Sequence, residues 1–171
     1  MQGKGKGKDA LIVGAGGASR AAVHALFAEL GCPTIYVINR HRQEVLDLLY
    51  DVQGMLRDTA KPKIVHVESA VQAKSLPPPF HIVGTVPDFE PSTVEEIKAR
   101  DMLQVFLQSP TTERKGVLLD MCFKPRVTRN IKLADMEGRK TVEEITVIWA
   151  SGGGAVEALG GEAGGEALTG E

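Results

Sequence analysis

The stretch Asp9-Ala-Leu-Ile-Val-Gly-Ala-Gly-Gly-Ala-Ser-Arg20 constrains this chain more than any other, because a short apolar run is followed by a glycine turn and then by an alanine-rich segment of helical period. Leu11 to Val13 reads as a buried strand and Ala18 to Leu30 as a helix, with Gly31 in the helix-stop position. A strand, turn and helix of this kind aim the first backbone N–H groups of the helix at a pyrophosphate. In that arrangement Gly14 makes the tight turn, and Gly16 lets the backbone approach the phosphates, with Gly17 and Ala18 continuing the loop. Ser19 stands where a third glycine is usual. A serine fits a close helix–strand contact, and its hydroxyl is expected to add a donor toward a phosphate oxygen. The competing reading is a tight turn in an α/β domain that binds nothing.

The segment Thr34-Ile-Tyr-Val-Ile38 is β-branched and aromatic, and is expected to run parallel to the first strand after a right-handed crossover. At its end a site for NAD places Asp or Glu to accept the ribose 2′-hydroxyl. This chain has Asn39-Arg40-His41-Arg42 there. No carboxylate follows the strand to repel a 2′-phosphate, while Arg40 and Arg42 supply guanidinium groups that can grip one or stack on adenine. NADP is therefore the expected cofactor, with NAD as the alternative; a solvated basic turn is the other reading. His41 reads as a surface residue.

At 171 residues, 43% of them hydrophobic and 25% charged, the chain can bury a single α/β sheet. A formal net charge of −2 gives no global attraction to nucleic acid or to an anionic membrane surface. No apolar run reaches the roughly 18 residues that could span a bilayer, and a cytoplasmic location is expected. Cys32 and Cys122 are too few for a disulfide framework, and no Cys/His cluster has metal-ligand spacing, so no metal is expected. We divide the chain into a flexible tail over residues 1–8, a dinucleotide-binding domain over 9–151, and a Gly/Ala/Glu-rich tail over 152–171 whose glycines oppose helix formation.

The middle of the chain alternates strand and helix. His41 to Leu56 reads as an amphipathic helix through Val45, Leu48, Leu49 and Val52. Lys63 to Glu68 and His81 to Val86 read as a third and a fourth strand. Ser92 to Gln108 should be the longest helix, opened by a capping box of Ser92 with Glu95 and burying Val94, Ile97, Met102, Val105 and Phe106. Gly116 to Met121 reads as a fifth strand, Thr128 to Glu137 as a helix, and Thr141 to Trp149 as a sixth strand. This alternation implies an α/β fold with a Rossmann-like, doubly wound, mostly parallel sheet. Ligands of such sheets sit beyond the carboxyl ends of the strands, near the point where strand order reverses. That rule singles out Gly14 to Ser19, Asn39 to Arg42, Thr85-Val-Pro87 and Asp120-Met121.

Four pieces together, Val13-Gly-Ala-Gly-Gly-Ala-Ser-Arg-Ala21, Ile38-Asn-Arg40, Gly84-Thr-Val-Pro-Asp-Phe89 and Leu119-Asp-Met-Cys-Phe-Lys-Pro125, resemble the nucleotide-binding domain of the shikimate/quinate dehydrogenases, in particular their fungal branch. The resemblance runs from about Lys8 to Trp149. It implies that Gly14, Gly16, Gly17, Ala18 and Ser19 form the diphosphate loop and that Asn39 and Arg40 lie on the adenosine side. It further implies that Thr85 meets the nicotinamide ribose, that Met121 packs near the nicotinamide, and that Phe123 stands on the substrate side where many members have tyrosine. The implied chemistry is hydride transfer between a nicotinamide and a hydroxylated cyclohexane or cyclohexene carboxylate, in aromatic amino acid biosynthesis or quinate metabolism.

Members of that family take a lysine and an aspartate for substrate binding and proton transfer from a separate N-terminal domain. No catalytic residue is assigned in this chain, and shikimate or quinate is an expected partner only together with such a domain. Ala150 and Ser151 stand where the family has a substrate-binding glutamine and a glycine, and Glu143 where it has a nicotinamide-side glycine. The chain alone is expected not to turn substrate over. The alternative within the same resemblance is a non-catalytic, ligand-sensing module of a quinate-pathway transcriptional repressor.

Overall fold

Continuous apolar runs such as Ala10-Leu-Ile-Val13 leave no polar face, so a strand made from one must be covered on both sides. A computed structural model describes residues 5–55, 61–110, 115–122 and 124–143, and it shows that covering. Strands β1 (Ala10–Val13), β2 (Thr34–Ile38), β3 (Lys63–His66), β4 (His81–Gly84), β5 (Val117–Asp120) and β6 (Lys140–Glu143) form one sheet in the order β3-β2-β1-β4-β5-β6. Every neighbouring pair is parallel. The expected doubly wound α/β sheet is therefore present, and the strand order reverses between β1 and β4.

Successive strand residues point to opposite faces, and each face has its own core. Ala10, Ile12, Ile35, Val37, Val83, Val117 and Leu119 face helices α1 (Gly17–His24) and α2 (Arg42–Met55), which contribute Ala22, Val23, Val45, Leu48 and Val52. Helix α1 continues through a π-helical turn, Ala25–Glu29, and is closed by Gly31 at φ +64°. Leu11, Val13, Tyr36, Ile38, Ile82 and Leu118 face the other way, onto α3 (Ala70–Ser75), α4 (Val94–Gln108) and α5 (Arg129–Met136). On that side the rings of Tyr36 and Phe106 stack with centroids 5.5 Å apart and planes 9° from parallel, which holds α4 over β2.

Helix α4 departs from expectation in two ways. Its capping box is Thr93 with Glu96, one residue later than expected: the Thr93 hydroxyl accepts from Glu96 N and the Glu96 carboxylate accepts from Thr93 N. Its buried residues are Met102, Leu103, Phe106 and Leu107, while Val94 and Ile97 are exposed. The reason is length. Fifteen helical residues run about 22 Å, while a four-residue strand runs about 13 Å. The first turns of α4 therefore overhang the carboxyl edge of the sheet and have nothing to pack on. Helix α3 was not anticipated; its one sequence signal is Ser69, whose side chain accepts from Gln72 N at the helix start.

Residues 5–8, assigned above to a tail, form a turn docked at the opposite edge of the sheet. Gly7 N donates to Leu30 O at 2.8 Å, and the His81 ring donates through Nε2 to Gly5 O at 2.8 Å. The sixth strand is seen over Lys140–Glu143; its expected continuation to Trp149 and the tail over 152–171 lie outside the described residues. Among the described residues no helix is long and apolar enough to cross a membrane.

Removal of residues 1–8 takes away the acceptor of the buried His81 ring and is expected to cost about 1 to 3 kcal/mol of stability in urea denaturation. Burial also pushes the His81 pKa below its ordinary value. The unfolded chain then binds the proton more readily, so this group's contribution to stability is lost as pH falls below about 6.5. Urea midpoints measured between neutral and mildly acidic pH check that sign.

Candidate functional site

The reversal of strand order leaves a crevice above the carboxyl ends of β1 and β4, and the sequence closes its floor with hydroxyl groups. Thr85, directly after β4, donates from N to Val13 O at 2.9 Å and from Oγ1 to the same oxygen at 3.0 Å. Since the Thr85 proton goes to Val13, the Ser19 hydroxyl donates to Thr85 Oγ1, at 2.8 Å. Ser19 is fully buried. Its hydroxyl thus joins α1 to β4 instead of facing outward to a phosphate, which corrects the donor role expected for it. The spacer role expected of a small residue is the one it fills.

Gly14 sits on this floor at φ +115°, and a Cβ there would lie 2.3 Å from Thr85 Oγ1 and 2.9 Å from Val86 Cγ1. Only glycine fits both the backbone conformation and the space. Gly16 and Gly17 differ from it. Both are exposed, neither has φ in the left-handed region, and an added Cβ would meet nothing within 4 Å.

Helix α1 starts at this open surface without a cap. Its N-cap residue, Gly16, has no side chain to accept from the first-turn N–H groups, and no acidic residue lies in that turn. Helices α3, α4 and α5 are capped by the side chains of Ser69, Thr93 and Thr128. The first N–H groups of a helix have no intrahelical acceptor, so α1 presents donors and the positive end of its dipole to whatever occupies the crevice. Arg20 holds the loop from behind: Nη1 donates to Gly16 O at 2.8 Å and Nε donates to Asp51 Oδ2 at 2.6 Å. The sequence reading gave Arg20 no role, and its place one helical turn after Gly16 is the signal that it missed.

At the end of β2 the structure alters the electrostatic picture. The sequence has no carboxylate directly after this strand, yet the fold brings three to it. Asn39 Nδ2 donates to Glu44 Oε2 at 2.7 Å, Arg42 Nη1 lies 3.5 Å from Glu68 Oε1, and Arg40 Nη1 donates to Glu96 Oε1 at 2.7 Å. The expectation of a carboxylate-free basic end is corrected, because Glu68 and Glu96 come from other elements. Arg40, Arg42 and His41 are exposed.

Beyond β4 and β5 the crevice wall is held by carboxylates. Asp120 is buried at the end of β5, accepting from the Thr128 hydroxyl at 2.6 Å and from Cys122 N at 3.1 Å. Burial pushes its pKa up, against these hydrogen bonds. Its side chain lies beneath Gly84, where a Cβ would come within 2.8 Å of Asp120 Oδ1. Asp88 accepts from Arg129 N at 2.9 Å and pairs with the Arg129 guanidinium, which ties the loop after β4 to the start of α5. Met121 is half-buried at the sheet edge, its N–H donating to Gly84 O. Phe123 lies outside the described residues. Among the described residues no group of three or more His, Cys, Asp and Glu side chains could hold a metal ion.

No family model matches the chain. It is 40% identical over 121 residues to the quinate dehydrogenase of Emericella nidulans, covering 70% of this chain and 36% of that protein. It is 36% identical over 129 residues to the pentafunctional AROM polypeptide of Kluyveromyces lactis, covering 75% of this chain and 8% of that one. The chain therefore spans about a third or less of the length of these relatives. The dehydroquinate dehydratase and shikimate dehydrogenase structure from S. pombe AroM superposes with a TM-score of 0.71 at 23% identity, over 91% of this chain and 28% of that one. Quinate dehydrogenase from Corynebacterium glutamicum in complex with NAD gives 0.59 at 18% identity, over 91% and 51%. Shikimate 5-dehydrogenase from Thermus thermophilus in complex with NADP(H) and shikimate gives 0.55 at 22%, over 88% and 48%. These structures share the fold.

The glycines separate experimentally. Gly14→Ala is expected to lower stability by on the order of 1 to 3 kcal/mol, from left-handed strain alone, with displacement of Thr85 adding to it. Gly16→Val is expected to cost less, about 1 kcal/mol at most, because its backbone is extended and the space around it is open, so that only the poor N-cap preference of valine opposes it. Thermal denaturation of the two variants beside the parent checks both.

Proposed function

The chain is homologous to part of the shikimate and quinate dehydrogenases, and on that premise we propose that it is the nicotinamide-dinucleotide-binding part of such an oxidoreductase, with NADP preferred. One observation carries this reading: an uncapped helix start, with two open glycines, stands at the point where strand order reverses. A pyrophosphate fits there chemically, because it brings acceptors and negative charge to unsatisfied donors and a positive dipole end. The amides of Gly16, Gly17 and Ala18 would hold it, with Gly14 and Ser19 as the framework. Asn39, Arg40 and Arg42 would lie along the adenosine, Thr85 and Met121 on the nicotinamide side, and Phe123 toward substrate.

The bound dinucleotide supplies the hydride-accepting carbon. This chain's own part is to bind it, orient it and close the floor beneath it. The relatives' names and the ligands of the superposed structures support a hydroxylated cyclohexane or cyclohexene carboxylate as the other reactant. No residue of this chain is assigned to its proton transfer. We take residues 9–151 as the cofactor domain and expect the reaction when a separate catalytic domain is present.

Titration calorimetry is expected to show NADP binding by the parent and its loss in Gly16→Val, which places a branched side chain where the phosphates approach. Arg40→Ala should weaken NADP more than NAD, since only NADP carries a 2′-phosphate to receive a charge-assisted hydrogen bond. Equal weakening of both would remove the arginine from the phosphate site. Mixed with NADP and either shikimate or quinate, this chain should give no nicotinamide reduction above a protein-free control, because positioning and proton transfer supply many orders of magnitude in such reactions.

A further inference from the structure

We propose that Glu96 sets the balance between the two dinucleotides by competing with a 2′-phosphate for Arg40. The proposal rests on the dinucleotide reading above and goes further, by assigning selectivity to a residue distant in sequence from the motif that would otherwise decide it. Arg40 follows β2 and Glu96 lies in the first turn of α4, which follows β4; these strands flank β1, where the glycine loop begins. The pair is brought together by the overhang of α4 and by the stacking of Phe106 on Tyr36, which holds the helix over β2.

The three ion pairs and hydrogen bonds at this end of the sheet are not equivalent. Glu68 is half exposed and lies 3.5 Å from Arg42. Glu44 meets Asn39, which carries no charge. Glu96 alone among them is anchored: Oε2 accepts from Ser92 N at 3.0 Å, from the Ser92 hydroxyl at 3.2 Å and from Thr93 N at 3.1 Å, which leaves Oε1 to accept from Arg40 at 2.7 Å. These donors pull the Glu96 pKa down to about 2, so it carries its charge throughout the working range. An ionised carboxylate held by these three donors is kept beside Arg40 when a ligand arrives. A 2′-phosphate that reaches for Arg40 must then take the guanidinium from that carboxylate or share it, whereas the 2′-hydroxyl of NAD makes no such demand. Glu96 thus disfavours NADP while leaving NAD alone, and narrows the preference created by Asn39-Arg40.

Glu96→Gln tests this with little disturbance, because glutamine at the same helical position can still accept from the Ser92 and Thr93 amides. Calorimetric titration of the full 171-residue chain with NADP and with NAD is expected to show NADP bound about fivefold more tightly by the variant, the upper end of what an exposed ion pair is worth, and NAD unchanged. In an Arg40→Ala background the same substitution should leave NADP affinity unchanged, since the competition acts through the arginine. Unchanged or weaker NADP binding by Glu96→Gln overturns the proposal, as does a gain shared equally by NAD or one that persists without Arg40. A superimposable melting curve, with NAD affinity retained, separates the effect from damage to α4. If neither dinucleotide binds parent or variant, the dinucleotide reading itself falls, and the proposal with it.

Discussion

The contact between Gly14 and Thr85 is the constraint on which the rest of this structure depends. The ends of β1 and β4 approach so closely that a single methyl group at position 14 would overlap the Thr85 hydroxyl. That hydroxyl in turn bonds Val13 and receives Ser19. One oxygen therefore sets the separation of two strands and the seat of the first helix. It does so where the strand order reverses, so the same contact that closes the sheet also shapes the floor of the crevice above it. Because the hydroxyl protons of Ser19 and Thr85 are engaged inward, the donors left for a ligand at this floor are the backbone N–H groups that open α1.

This division of labour explains why the glycine loop has two kinds of glycine. Gly14 is required by the fold, through its left-handed backbone and the lack of room. Gly16 and Gly17 are required by nothing within the described chain, since the space around them is open. With glycine at its N-cap, α1 forgoes about a few tenths of a kcal/mol that a serine cap would provide, and leaves its first N–H groups without a side-chain acceptor. Three other helices of the chain have such caps. The missing cap and the open glycines coincide at one place, which is the physical case for an external anion there.

Helix α4 links the stability of the sheet to the charge of the crevice. Its second half is held by Met102, Leu103, Phe106 and Leu107 in the core, and its first half hangs beyond the sheet edge. The box that caps it uses Glu96, and the same carboxylate that satisfies the helix start faces the loop after β2. A capping residue thereby becomes part of the electrostatic surroundings of Arg40. Asp120 is a parallel case: it organises the turn after β5 through Thr128 and Cys122, and its side chain fills the space left by Gly84.

Local chemistry made much of this legible in the chain. Apolar runs of strand length alternating with amphipathic helices imply a parallel sheet covered on both faces, because neither kind of segment can bury itself otherwise. Gly14 and Gly31, both with positive φ in the structure, were readable as turn and stop because few other residues accept that backbone. The glycine loop and the arginines after β2 were readable because their neighbours in sequence are their neighbours in space. Contacts between distant segments were not readable. Nothing near Arg40 in sequence announces Glu96, nothing near Ser19 announces Thr85, and the exposure of Val94 and Ile97 follows from the mismatch in length between α4 and the strands beneath it. Spacing along a chain records which face a residue shares; which other segment meets that face is settled by how helices pack across a twisted sheet, and that packing turned a basic loop into a set of ion pairs and a serine from a ligand donor into a structural tie.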